Sequence, residues 1–251
     1  MIVLASQSPR RADLLRNANI EFEVVPAHVP EEHRVGESAE AYVQRLARDK
    51  ALAVLKARPE AVVLGADTTV VVDLALTAGA PSLCAYPSVV AQLAHTPLKP
   101  AEGLNGLPDR DPDLNRPPAP ILPPNSVAQM WATAKEIILE KPKDAEDAKR
   151  MLRLLSGRPH RVMTGVCLAW NDNGASKCDV RVQGTVVRFS ALSEQEIADY
   201  ISTGEPMDKA GAYGIQGIAS RWIEELDGCY FSVMGLPVPL VYRMLREHGT
   251  I

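Results

Sequence analysis

Apolar and polar positions fall in blocks along the chain, and their period changes from block to block. Ile2 to Ala5 is a continuous apolar run, too short for a helix and suited to a buried strand. Pro9 to Asn17 follows as a helix with Leu14 and Leu15 turned inward, and Phe22 to Val25 is a second strand. Ser38 caps a long helix to about Ala57 that gathers Tyr42, Leu46, Ala47 and Val54 near one face. Ala61 to Gly65 is a buried strand ending at Ala66-Asp67-Thr68. Later, Asp144 caps a helix carrying Met151, Leu152 and Leu155, and His160 to Ala169 and Asp179 to Phe189 read as two antiparallel strands. Ser193 with Glu196 forms a capping box for Glu194 to Ser202, and Pro239 to His248 is a closing helix. The alternation predicts an α/β domain with a mixed sheet.

One stretch breaks the pattern. Residues 74–135 hold 11 of the chain's 20 prolines and only 8 charged residues among 62. Runs such as Arg116-Pro117-Pro118-Ala119-Pro120 cannot continue a helix or sit inside a sheet. The segment is expected to be an accessory insertion without catalytic residues, with short helical turns allowed at Ser88 to Leu93 and Val127 to Ala134.

Composition narrows the function classes. With 251 residues, 46% hydrophobic and 23% charged, the chain is an ordinary globular one. A net charge of −4 argues against a nucleic-acid binder acting through bulk electrostatics. No apolar run of about 18 residues predicts a membrane span. Cys84, Cys167, Cys178 and Cys229 are scattered, which points to reduced thiols in the cytoplasm and not to a zinc site.

The candidate chemistry lies at element ends. Ser6-Gln7-Ser8-Pro9-Arg10-Arg11 follows a strand and opens a helix, with Ser8 suited to the N-cap. It reads equally as an anion site or as a capped helix with solvated arginines. Asp67, at a strand's carboxyl end, is placed to hold a metal or a water, or is an acidic turn residue. Glu31 and Glu32 are a metal-ligand candidate or an exposed loop pair; Lys50, late in the long helix, reads by itself as a solvated helical lysine. Lys141 stands in the polar turn Glu140-Lys141-Pro142-Lys143-Asp144. Met207 to Gly217 contains three glycines in seven residues, which lets backbone approach a ligand and presents Lys209 and Gln216. Neither a P-loop nor a nucleophilic triad motif occurs.

In this order, these stretches, with Gly65-Ala66-Asp67-Thr68, Leu155-Ser156-Gly157, His160, Thr164-Gly165 and Gly235-Leu236-Pro237, resemble the Maf family of nucleoside triphosphate pyrophosphatases over residues 1–73 and 136–251. The resemblance implies a fold like that of Maf and inosine triphosphate pyrophosphatases: a mixed sheet flanked by helices, with a nucleotide cleft, in one domain over 1–251 interrupted at about 74–135. It implies hydrolysis of a nucleoside triphosphate to the monophosphate and pyrophosphate with a divalent cation, Mg²⁺ or Mn²⁺. Asp67 would be the general base and a metal ligand with Glu31. Ser6, Arg10, Arg11, Lys50, Lys141 and Lys209 would surround the phosphates, making a basic pocket on an acidic protein. Arg10, Thr68 and Gln216 match the branch acting on dTTP and UTP. No nucleic acid or membrane partner is expected, and a homodimer would suit the family. The alternative is a nucleotide-binding regulator of cell division and septation with little hydrolysis.

Overall fold

The computed structural model describes residues 2–73 and 136–251, so the expectations for the proline-rich segment 74–135 lie outside the described residues. Seven strands form one mixed sheet: β1 (Ile2–Leu4), β2 (Phe22–Val24), β3 (Val62–Asp73), β4 (Glu136–Leu139), β5 (Pro159–Asp172), β6 (Ala175–Phe189) and β7 (Ile223–Asp227). Their order is β2-β1-β3-β5-β6-β7, with β4 paired to β3 beyond the end of β1. β1 is parallel to β2 and β3; every other pairing is antiparallel.

The helices are α1 (Pro9–Asn17), α2 (Ala39–Ala57), α3 (Ala145–Leu155), α4 (Glu194–Ser202), the short α5 (Tyr230–Val233) and α6 (Val238–His248). The predicted caps form: Ser38 Oγ accepts from Ala41 N at 3.2 Å, Asp144 Oδ1 from Asp147 N at 2.8 Å, and Ser193 with Glu196 closes a full capping box. Ser8 holds the N-cap position of α1 without a side-chain cap; Ser6 Oγ accepts from Ser8 N instead, at 3.2 Å.

The strand period of two sorts the core into layers. Val3, Ala5 and Val63 pack with Cys167 and Ala169 against Ala47, Ala51 and Val54 of α2. Ile2, Leu4 and Leu64 face the other way, onto Leu14 and Leu15 of α1 and Leu240, Val241, Met244 and Leu245 of α6. Farther along that second face, Val70, Val72 and Phe189 pack on Met151, Leu152 and Leu155 of α3 and on Ile197 and Tyr200 of α4.

One expectation is overturned. The strand bearing Asp67 does not end there: β3 continues to Asp73 because Thr68-Thr69-Val70-Val71-Val72 is β-branched throughout. Asp67 therefore sits in mid-strand. The place still behaves as a carboxyl end, because β1 pairs only with Val62 to Leu64 and β4 only with Val70 to Asp73. Between them, one edge of β3 faces neither strand. The carboxyl ends of β1 and β4 approach this gap from opposite directions, carrying Ser6 and Lys141 to it.

Candidate active site

The gap opens into a cleft of about 1050 Å³. Its lining includes all ten site residues that the resemblance implies, Ser6, Arg10, Arg11, Glu31, Lys50, Asp67, Thr68, Lys141, Lys209 and Gln216, whereas Glu32, the other acid of the loop pair, is exposed and not part of it. Neighbouring residues of β3 serve different walls. Asp67 shares a face with Val63 and Gly65 and meets α2, whereas Thr68 points to the opposite face and meets α1.

On the α2 side, Lys50 is only 8% exposed, which removes the solvated-lysine reading. Its Nζ donates to Asp67 Oδ1 at 2.7 Å and lies 2.6 Å from Glu31 Oε1, so one ammonium joins two carboxylates. Two glycines bring α2 this close. A Cβ on Gly65 would stand 2.2 Å from the Ala47 carbonyl oxygen, and one on Gly165, directly across from Asp67, 2.3 Å from that of Val43.

The two acids respond oppositely. Burial pushes the Asp67 carboxyl above the usual range, against the charges of Lys50 and Arg11 and with that of Glu31. Partial burial would also raise Glu31, but the Lys50 hydrogen bond and the charges of Lys50, Lys141 and Arg11 outweigh it and hold Glu31 low.

On the α1 side, Arg11 is not a solvated arginine. Its Nε donates to the Gly235 carbonyl at 2.7 Å, Nη1 to Ser6 Oγ at 3.2 Å and Nη2 to Thr68 Oγ1 at 3.3 Å. Burial lowers its pKa, opposed by the charge of Asp67. Thr68 Oγ1 lies 2.9 Å from Thr164 Oγ1, which donates to the Ser232 carbonyl at 2.8 Å.

The third wall is the turn segment 205–217. Asp208 joins two expected phosphate ligands: Arg10 Nη1 reaches its Oδ2 at 3.1 Å and Lys209 Nζ its Oδ1 at 2.7 Å. Lys209 also donates to the Glu205 carbonyl at 2.6 Å. Gln216 is exposed at the cleft and, among the described residues, makes no side-chain hydrogen bond; Lys141, also exposed, lines the same cleft. The expected basic pocket is corrected here. Beside Arg10, Arg11, Lys50, Lys141 and Lys209 the lining carries five acids, Glu31, Asp67, Glu140, Glu205 and Asp208, and three of these, Glu31, Asp67 and Asp208, pair with Lys50, Arg10 and Lys209.

Sequence reasoning missed Tyr42, Glu140, Thr164, Glu205 and Asp208 as cleft or wall groups. For Tyr42 a signal existed: Tyr42, Leu46 and Lys50 recur at four-residue steps, placing two polar tips on the apolar stripe of one helix.

A family model described as Maf-like protein matches residues 1–83 and 117–248. A protein of Koribacter versatilis named dTTP/UTP pyrophosphatase is 42% identical over 250 residues, covering all of this chain and 95% of its own. Proteins of the same name from Syntrophomonas wolfei and Photobacterium profundum are 36% identical over 98% of this chain and 97% of theirs, and 39% identical over 94% and 91%.

Proposed function

Since the chain belongs to the Maf family, we propose that it hydrolyses nucleoside triphosphates, dTTP and UTP foremost, to the monophosphate and pyrophosphate. Housecleaning of excess or non-canonical nucleotides in the cytoplasm is the role that follows. Among the described residues no helix is long and apolar enough to cross a membrane. The observation that carries the reading is Lys50 between Asp67 and Glu31, in a cleft that also holds four further cations.

The metal is tested on the donor set. No group of three or more His, Cys, Asp or Glu suited to a metal occurs among the described residues. The protein therefore offers no closed cage, but Asp67 and Glu31 converge on one point, the Lys50 ammonium. Two carboxylates completed by water and phosphate oxygens are the donors that Mg²⁺ prefers, and Mn²⁺ accepts the same oxygen set. These two residues would hold the cation, which when bound would neutralise phosphate charge and acidify a water.

The chain's own groups do the rest. Asp67 accepts the proton of a water whose oxygen bonds to the α-phosphorus. The bridge to the β-phosphate breaks and pyrophosphate leaves. Arg10 and Lys209 exchange Asp208 for phosphate oxygens, and Lys141 closes the same side. Arg11 and Ser6 hold the α1 wall, with Thr68 between the walls. Gln216, free of other side-chain bonds among the described residues, reads the pyrimidine edge with Arg10 and Thr68.

A nucleotide panel with Mg²⁺ or Mn²⁺ tests this. The expected result is pyrophosphate, not phosphate, with dTTP and UTP preferred. Tight nucleotide binding without pyrophosphate release would instead favour the regulatory alternative. Light scattering of the purified chain tests the homodimer.

A further inference from the structure

Tyr42 and Glu140 lie in the cleft lining, yet neither has a part in the chemistry above. They come from different elements, α2 and the residue just after β4. The Tyr42 hydroxyl donates to Glu140 Oε1 at 2.6 Å and stands 2.8 Å from the main-chain carbonyl oxygen of Glu31. The phenol ring is buried, only 4% exposed, while the Glu31 side chain is 52% exposed and belongs to an irregular stretch between β2 and α2. Glu140 also accepts from Gly211 N at 3.0 Å through its own carbonyl, which ties it to the glycine-rich turn.

We propose that Tyr42 and Glu140 are a positioning pair that fixes the Glu31 loop against the Lys141 turn and so sets where the Glu31 carboxylate stands. Glu31 has a single side-chain partner among the described residues, Lys50 Nζ, and one ammonium fixes the distance of a half-exposed carboxylate but not its orientation. The backbone of the same residue is held by a rigid, buried phenol with two χ angles and little freedom to lose. The single hydroxyl proton is shared in a three-centre bond, so Glu140 and the Glu31 carbonyl both close on the same phenol oxygen. Because Lys141 follows Glu140 directly, one hydroxyl bears on the chain both at Glu31 and beside Lys141. Outer-shell partners of this kind orient metal-side carboxylates and typically change metal affinity or activity by about 10–100-fold. The functional consequence rests on the reading of Glu31 as a metal-side ligand; the positioning itself does not.

Two measurements keep those apart. Hydrogen exchange of the amides in residues 27–34 reads the positioning directly. It is expected to quicken in Tyr42→Phe and in Glu140→Ala, and to stay at the parent rate in Glu140→Gln, whose amide oxygen still accepts the phenol's proton. Unchanged exchange in Tyr42→Phe, or quickened exchange in Glu140→Gln equal to that in Glu140→Ala, overturns the pair. Titration with Mn²⁺ alone, followed by the electron paramagnetic resonance of the free ion, reads the consequence. Affinity is expected to fall about 10-fold or more in Tyr42→Phe, with Glu31→Gln as the reference loss. Parent-like Mn²⁺ affinity in Tyr42→Phe beside a weakened Glu31→Gln overturns the proposed consequence. Parent-like affinity in Glu31→Gln removes the metal reading of Glu31 and the consequence with it, and the exchange rates alone then decide whether the pair positions the loop.

Discussion

Asp67 and Glu31 touch the same ammonium and are driven apart as acids, one raised and one lowered. Such a split is how a site keeps one carboxylate as a proton acceptor and another as a fixed charge. In folded protein the raised Asp67 holds its proton over a window that begins near the ordinary aspartate value of about 4. Its folded state is favoured at the acid end of that window and loses that contribution as pH rises through the folded pKa. Glu31 is the converse: its contribution is present above the unfolded value and is lost as pH falls through the lowered one. Asp67→Asn keeps an oxygen for Lys50 and removes the titration. Turnover is expected to fall by about 10²–10⁴, while the Tm at pH 7–8 stays at or above the parent's. Near-parent turnover in the folded variant would take Asp67 out of the base role; a large drop in Tm would show that burial does not set its energetics. Gln216→Ala has a different signature: the ratio of dTTP or UTP to GTP hydrolysis falls while cleavage of the best substrate changes little. An unchanged ratio assigns base choice elsewhere. The identities of these residues are legible because each motif is local in the chain. The partners are not: Lys50, Asp67 and Glu31 are brought together by the pairing of strands and helix, which no local pattern records.

At the level of elements, helices are more legible than strands. α1 and α2 match their predicted spans because Pro9 and Ser38 mark starts that depend only on neighbouring residues. β3 is longer than its pattern predicts because Gly65 and the acidic Asp67 look like a turn, whereas the glycine is there for the close approach of α2. The hairpin between β5 and β6 is available in Asn173-Gly174, whose φ values of 52° and 81° suit a two-residue primed turn, yet the apolar pattern predicts both strands too short. β7, Ile-Glu-Glu-Leu-Asp at the sheet edge, and the short turns of 205–222 have no periodicity to read. The two glycines give the test at this scale. In Gly65→Ala and Gly165→Ala the new Cβ meets backbone oxygen, which cannot move without the whole helix. Stability is expected to fall by about 1–3 kcal/mol or more. Activity falls further than Tm predicts, because Lys50 moves with α2. Parent-like denaturation midpoints would mean that α2 is not held at this contact.

For the whole molecule the question is how the sheet tolerates 62 residues between two of its strands. β3 and β4 pair antiparallel, and the last pair is Asp73 with Glu136, the two described residues that flank the segment. A buried arginine closes that pair: Arg161 Nε and Nη2 donate to the two Asp73 oxygens at 3.0 and 3.1 Å, and Nη2 to Glu136 Oε1 at 2.6 Å. Among the described residues, the strand ends are thus anchored to one another by Arg161. Directly opposed residues are also the geometry that a two-residue turn closes. Replacing 74–135 by Asn-Gly is therefore expected to give a folded protein that hydrolyses dTTP or UTP at least as well as the parent. Going from about 62 residues to about 2 removes about five doublings of loop length, worth about 3 kcal/mol of closure entropy. The free energy of unfolding should rise by up to that amount, with the denaturant slope lowered by the shorter chain. A gentler deletion, 84–116, keeps every residue that the family model matches up to 83 and from 117. If both variants are active, the segment is accessory to a single domain of the remaining residues. If 84–116 can go but 74–135 cannot, the flanks 74–83 and 117–135 serve the site, and the catalytic body is larger than the sheet and helices described. A folded 84–116 deletion without activity would place part of the nucleotide site in the proline-rich stretch and end its reading as an accessory insertion.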